Sequence, residues 1–205
     1  MGWYGDRVFP RVLNSAMNTP ETRRIRQAVC APLAGDVLEI GFGTGLNLPH
    51  MTPRVTRLRV VDPMERGRVL GAERIAASPV AVEFVGLDGQ TLPVEDASVD
   101  AVLSTWTLCS IPDPVAAVRE IRRVLRPDGA FHFVEHGRSP DERVLVWQNR
   151  LNGLQRRVAC GCNINRDMPT IVREGGMTIE SLATFYSKAG PKILGWTFQG
   201  IARPS

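Results

Sequence analysis

The stretch Asp36–Asn47, DVLEIGFGTGLN, constrains this chain more than any other. Val37, Leu38 and Ile40 read as a buried strand. The strand breaks at once into Gly41-Phe42-Gly43-Thr44-Gly45, and the pattern beyond is one that opens a helix. Glycine at every second position lets backbone N–H groups come close to a ligand and permits dihedrals closed to other residues. Strand, glycine turn and helix start together make a nucleotide-type pocket at the carboxyl end of a parallel strand.

The spacing narrows the ligand. A dinucleotide fingerprint has its third glycine three positions after the second, where this chain has Leu46, so the pattern is GxGxG. Glu39 puts a carboxylate at the mouth of the strand, where it repels a pyrophosphate and suits a cation. In VLEIGFGTG the chain resembles the class I S-adenosylmethionine-dependent methyltransferases. RVFP, TLCSIPDP, RVLRPDG, FVEHG and the Cys162–Asp167 run are similar to the type 11 methyltransferases, in particular the membrane-associated alkyl thiol methyltransferases. That branch carries an N-terminal hydrophobic anchor that this sequence is expected to lack. Phospholipid N-methyltransferases share similar glycine motifs. The resemblance covers roughly residues 35–135. It implies an α/β, Rossmann-like three-layer sandwich, with a seven-stranded, mostly parallel sheet whose last strand is antiparallel. A single domain over 1–205 is expected: a helical lid at 1–34, a cofactor-binding core at 35–135, and an acceptor-side segment with the final strands at 136–205.

The same resemblance implies where S-adenosylmethionine is held. Glu39, Gly41, Phe42, Gly43, Thr44, Gly45 and Asn47 form the glycine-loop wall. Asp62 ends the strand at 58–62, placed to accept both ribose hydroxyls, with Pro63 and Met64 beside the adenine. Asp88 is assigned to the adenine amino group and the Gly89–Gln90 backbone to the ring edge. Thr105, Trp106 and Leu108 lie in the loop beside the sulfonium. Read alone, Asp62 is a turn or helix cap, and Asp88 an exposed loop residue.

Around these motifs the chain reads in order. Trp3, Tyr4, Val8, Val12 and Leu13 form a helical stripe, as packing or as ligand contacts. Thr19-Pro20 starts a second helix that runs to about Leu33. Strands follow at Val80–Val85 and Ala97–Leu103. Asp113-Pro114 caps and opens a helix with Val115, Val118, Ile121, Val124 and Leu125 buried. Arg126-Pro127-Asp128-Gly129 reads as a turn into a strand at Ala130–Val134. A helix is expected over Pro140–Val158, then strands at Met177–Tyr186 and Ile193–Ala202.

Methyl transfer from a sulfonium demands mainly alignment, and a base only where the acceptor must lose a proton. His136, at the end of the fifth strand, is the candidate base by position, and equally a structural histidine bonded to a carbonyl. His50 and His132 are weaker candidates. Arg166 reads either as part of a solvated arginine-rich face or as the group that orients an anionic acceptor. Cys30, Cys109, Cys160 and Cys162 show no metal-ligand spacing, so no metal is expected and the thiols read as small packing residues.

Composition adds bounds. The chain has 205 residues, 43% hydrophobic and 22% charged, with net charge +4 carried almost wholly by arginine. No basic run supports a nucleic-acid partner. No apolar run reaches the ~20 residues of a membrane span, and a reduced cytoplasmic setting is expected. The reading is a methyltransferase acting on a small-molecule thiol, hydroxyl or amine. Its competitors are a module that binds the cofactor without turnover and, on the same sheet, a nucleotide-dependent oxidoreductase. Oligomeric state stays open.

Overall fold

The computed structural model describes residues 9–205; Trp3, Tyr4 and Val8 lie outside the described residues. Seven strands form one sheet: β1 (Gly35–Ile40), β2 (Val55–Val61), β3 (Val82–Gly86), β4 (Val99–Thr105), β5 (Leu125–His136), β6 (Met177–Tyr186) and β7 (Trp196–Pro204). Their order is β3-β2-β1-β4-β5-β7-β6. β1 to β5 pair in parallel, and β7 runs antiparallel to both of its neighbours.

Alternation along the strands sorts side chains into two cores, one on each face. Leu38, Ile40, Val102, Phe131 and Phe133 point to one side. There they meet Val118 and Ile121 of α5 (Pro114–Val124) and Met168 and Val172 of α7 (Met168–Glu174). Val37, Leu58, Val60, Ala101 and Leu103 point to the other, against Ile25, Val29 and Cys30 of α2 (Pro20–Cys30). Helix, sheet and helix therefore make three layers. Glu39 shares its face with Val37, so the period of two delivers a carboxylate beneath α2.

The remaining helices are α1 (Phe9–Ala16), α3 (Glu65–Leu70), α4 (Ala72–Ala76), α6 (Glu142–Val158) and the short α8 (Lys192–Gly195). None among the described residues is long and apolar enough to cross a membrane. Caps follow the sequence. Thr19 and Thr22 form a capping box around Pro20, Asp113 Oδ1 accepts from the Ala116 amide at 3.0 Å, and Asp141 caps α6.

Three expectations are corrected. The glycine turn opens no α-helix: only a 3-10 turn, Leu48–His50, follows. Pro49 suits a first turn, but Pro53 lacks the N–H that a continuing helix needs. The Arg126–Gly129 run does not precede β5 but lies inside it. Partners step from Val99↔Leu125 to Ala101↔Ala130, so the turn residues are absorbed as a bulge. The last strand starts at Trp196 rather than Ile193, because Lys192–Gly195 winds into α8.

Candidate functional site

The sheet order reverses between β1 and β4, the position at which open α/β sheets place their ligand crevice. The glycine loop forms one wall. Gly41 has φ +82°, and a Cβ there would lie 1.9 Å from Thr107 Oγ1, so the turn requires glycine twice over. Gly43, at φ +57°, has nothing within 4 Å of a Cβ, so that side of it is open, while its carbonyl packs against Gly67. Phe42 and Gly45 close the base of the loop, where the Gly45 amide donates to the Phe42 carbonyl at 2.9 Å. Thr44 Oγ1 donates to Asn14 Oδ1 of α1 at 2.7 Å.

Asp62 lies just past β2, 8% exposed. Its Oδ2 accepts from the Gly43 amide and its Oδ1 from the Met64 amide, both at 2.6 Å. The carboxylate thus braces the glycine loop, with the Phe42 amide turned to it as well. Burial pushes its pKa up, against the pull of those amides. Beside it, a cavity of about 570 Å3 is lined by Met64, Phe84, Gly86 and Leu87 among others. Pro63 is exposed at its edge. Asp88 is exposed, and its Oδ1 takes the Gln90 amide at 2.9 Å. That amide, expected at an adenine edge, is engaged within its own turn, and Gly89 is packed between Ile40 and Ile111.

The floor of the crevice is a buried polar network. Asn47 Nδ2 donates to Glu39 Oε1 at 2.6 Å and to Thr105 Oγ1 at 2.9 Å. Arg26 Nη1 donates to Asn47 Oδ1 at 2.7 Å and to Thr105 Oγ1 at 3.0 Å, with its guanidinium 4.8 Å from the Trp106 ring centre. Glu39 is fully buried, and its Oε2 has no partner. Burial raises the Glu39 pKa to about 7 and lowers that of Arg26 to about 10. Sequence reading missed Arg26. The signal was available, since Arg26 follows Ile25 and precedes Val29 on the buried stripe of α2.

The opposite wall is the loop after β4. Trp106 sits at φ +54°, a conformation uncommon outside glycine, with its amide donating to the Val134 carbonyl at 2.6 Å. Glu135, also missed as a site residue, gathers this loop. Its Oε1 accepts from Ser104 Oγ at 2.7 Å and from the Thr107 and Leu108 amides at 3.1 and 2.9 Å, and Oε2 from the Cys109 amide at 3.1 Å. The Leu108 side chain is fully buried in the core. Its carbonyl accepts from Arg166 Nη1 at 2.8 Å, as does that of Ile111 at 2.7 Å, while Nη2 reaches the Pro112 carbonyl at 3.3 Å. Arg166 is therefore a clamp on the loop, which corrects the reading of it as part of a solvated face.

His136 ends β5 half-buried, its ring centre 6.2 Å from that of Trp106. The fold brings Cys109 and Cys162 to it, a meeting that spacing along the chain gave no sign of. Cys162 Sγ lies 3.6 Å from Cys109 Sγ and 3.9 Å from His136 Nδ1. The Cys109 S–H facing Cys162, with His136 beyond, pulls the Cys162 thiol down, while the same contact and burial push Cys109 up. His132 lies away from the crevice, beside Ala28, Val29 and Pro32 on the α2 face, and burial lowers its pKa to about 4. His50 closes the 3-10 turn.

Comparison with known proteins agrees with this geometry. Residues 38–133 match the family model described as a methyltransferase domain. The chain is 34% identical over 135 residues to the human thiol S-methyltransferase TMT1A, and 31% identical over 144 residues to the rat thiol S-methyltransferase TMT1B. Each match covers 64% of this chain and 55% of the relative, so the chain spans about half the length of the curated relatives it matches. A putative methyltransferase from Bacillus halodurans shares the fold, with a TM-score of 0.70 at 17% identity over 89% of this chain and 99% of that one. Residues 38–133, just under half of the chain, are thus similar to the methyltransferase-domain family, and the fold around them is the one shared with the Bacillus halodurans protein.

Proposed function

We propose that the chain binds S-adenosylmethionine in the crevice between β1 and β4 and transfers its methyl group to the thiol of a small molecule. The observation that carries the cofactor is Glu39 Oε2, a fully buried carboxylate oxygen without a partner at the end of β1. An unmatched buried acceptor is costly, and a cationic ligand relieves it. The ammonium of the methionyl part supplies that cation. Gly43 leaves open space on its Cβ side, and Thr44 and Asn47 hold the surrounding turn. Asp62, partly engaged by the loop amides, is the acceptor for the ribose hydroxyls, and Pro63, Met64, Asp88, Gly89 and Gln90 border the adenine side. Thr105, Trp106 and the Leu108 backbone form the wall near the sulfonium.

The chemistry is an in-line displacement. A sulfur lone pair of the acceptor attacks the methyl carbon, the methyl–sulfonium bond breaks toward the cofactor's sulfur, and neutral S-adenosylhomocysteine leaves. The protein's contribution is to hold both sulfurs in line. A thiol acceptor follows from the relatives, whose names specify thiol S-methylation. Its proton must leave first, and His136 stands at that wall with its ring centre 6.2 Å from that of Trp106.

Calorimetric titration with S-adenosylmethionine and, separately, with NADH tests the pocket. Saturable binding of the first alone is expected. Turnover is then read as S-adenosylhomocysteine released with alkyl thiol, phenol and amine acceptors. Binding without release in any of the three leaves a cofactor-binding module and overturns the enzyme reading.

A further inference from the structure

We propose that Cys109, His136 and Cys162 form a zinc site of three protein ligands whose open fourth position holds the acceptor's sulfur as a thiolate. The first part stands on the geometry of the cluster. The second rests on the methyltransferase reading above.

The three ligand atoms lie within 4.8 Å of one another. A tetrahedral ion with Zn–S of about 2.3 Å and Zn–N of about 2.0–2.1 Å sets S···S near ~3.8 Å and S···N near ~3.5 Å. The separations found are 3.6 Å between the sulfurs and 3.9 Å from Cys162 Sγ to His136 Nδ1. Ligation needs shifts of a few tenths of an ångström along these two edges.

The backbones that carry the ligands are already held. The Cys109 amide is taken by Glu135 Oε2, and its carbonyl accepts from the Asn163 amide at 2.9 Å and from Asn163 Nδ2 at 3.1 Å. Asn163 follows Cys162 directly, so one side chain ties the two cysteine segments together although they lie 53 residues apart. Gly161 permits the approach: at φ +102°, a Cβ there would stand 2.9 Å from the Ser110 carbonyl oxygen.

Donor type selects the ion. Two thiolates and an imidazole form a soft set that suits zinc and not magnesium or calcium. Structural zinc is closed by four protein ligands, whereas catalytic zinc keeps three and an open position. Three is the number found here among the described residues. Of the three ligands, His136 alone is half-exposed, and it faces Trp106, the residue stacked on Arg26 of the cofactor network. The open position therefore borders the crevice. An acceptor thiol that enters it loses its proton to water as the Zn–S bond forms, and its sulfur keeps a lone pair for the methyl carbon. The neutral thioether formed is a poorer ligand and departs. His136 then serves as a ligand and takes no proton.

The test uses reduced, metal-stripped protein without cofactor or acceptor, titrated with zinc against a chromophoric chelator. One equivalent per chain is expected. Cys109→Ser, Cys162→Ser and His136→Gln should each weaken it by at least about tenfold, while Cys160→Ser leaves it in place. Circular dichroism melts report whether each variant folds. If Cys109→Ser fails to fold, Cys162→Ala and His136→Gln decide the question. With cobalt as the probe, thiolate-to-metal charge-transfer bands should appear and shift when an alkyl thiol is added. Absence of uptake, uptake that survives loss of both cysteines, or recovery of the pair only as a disulfide overturns the site. Uptake with cobalt bands indifferent to thiol overturns the open position. Zinc binding is read without S-adenosylmethionine, so this inference and the methyltransferase reading fail separately.

Discussion

Arg26 donates to Asn47 across 2.7 Å, and Asn47 passes the contact to Glu39 at 2.6 Å, so α2 is tied to the mouth of β1 through one amide side chain. The helix above the crevice thus senses the charge at its floor. Arg26→Ala leaves Asn47 Oδ1 and the Glu39 carboxylate with less compensation in a buried setting. The expected loss is on the order of 3 kcal/mol of unfolding free energy, as for removing one partner of a buried charge pair. Denaturant melts should show it, and calorimetry should show weaker S-adenosylmethionine binding as α2 loosens. A melt unchanged from the wild type contradicts the coupling.

Glu39 gives this network a pH dependence of definite sign. Its pKa in the folded chain is raised from 4.5 to about 7 by burial. A raised carboxyl pKa means that the folded state binds the extra proton. Stability from this group is full below pH ~4.5 and is lost as pH climbs to ~7, by on the order of 3 kcal/mol in all. Glu39→Gln should flatten that part of the wild-type stability curve and raise ligand-free stability at pH 8. It should also weaken cofactor binding, because the ammonium loses its counter-charge. Wild-type binding at pH 6 should release more protons than at pH 8, read by calorimetry in buffers of different ionisation enthalpy. Equal proton release at both values counts against Glu39 as the ammonium partner.

These two residues mark where sequence reading succeeded and where it stopped. The strand-end positions of Glu39 and Asp62 and the caps at Thr19 and Asp113 were legible because each lies at a strand end or a first helical turn. The partners of the two caps follow from local spacing. The Arg126–Gly129 bulge was not, since the same residues make a turn before a strand or a bulge within one, and only pairing with β4 decides. Arg26, Glu135 and the meeting of Cys109 with Cys162 depend on which elements the sheet order brings side by side. A charged residue on the buried stripe of α2, and a glutamate ending an otherwise apolar strand, were the signals available. Neither names its partner.

Asp62 carries a prediction about affinity. Asp62→Ala removes the acceptor proposed for two ribose hydroxyls and frees the Gly43 and Met64 amides that now donate to it. Charge-assisted hydrogen bonds of this kind set the cost at about 2–4 kcal/mol of cofactor binding. Asp62→Asn keeps an acceptor but turns an NH2 toward an amide donor, so it should fall between alanine and wild type. A dissociation constant for Asp62→Ala equal to that of the wild type removes Asp62 from the cofactor site.

Arg166 separates holding a loop from choosing an acceptor. Its guanidinium reaches the carbonyls of Leu108, Ile111 and Pro112, and burial lowers its pKa. Arg166→Ala should therefore loosen the segment that presents Trp106 and Cys109, lowering stability by about 1–3 kcal/mol through carbonyls left without donors. Turnover should fall for every acceptor alike, because no selective contact is lost. Arg166→Lys reaches fewer carbonyls and should recover only part of the stability. The informative quantity is the ratio of kcat/KM for a carboxylated thiol to that for a neutral thiol of the same length. A clamp leaves that ratio at its wild-type value while both rates drop. A fall confined to the carboxylated thiol would show that the side chain reaches the acceptor after all.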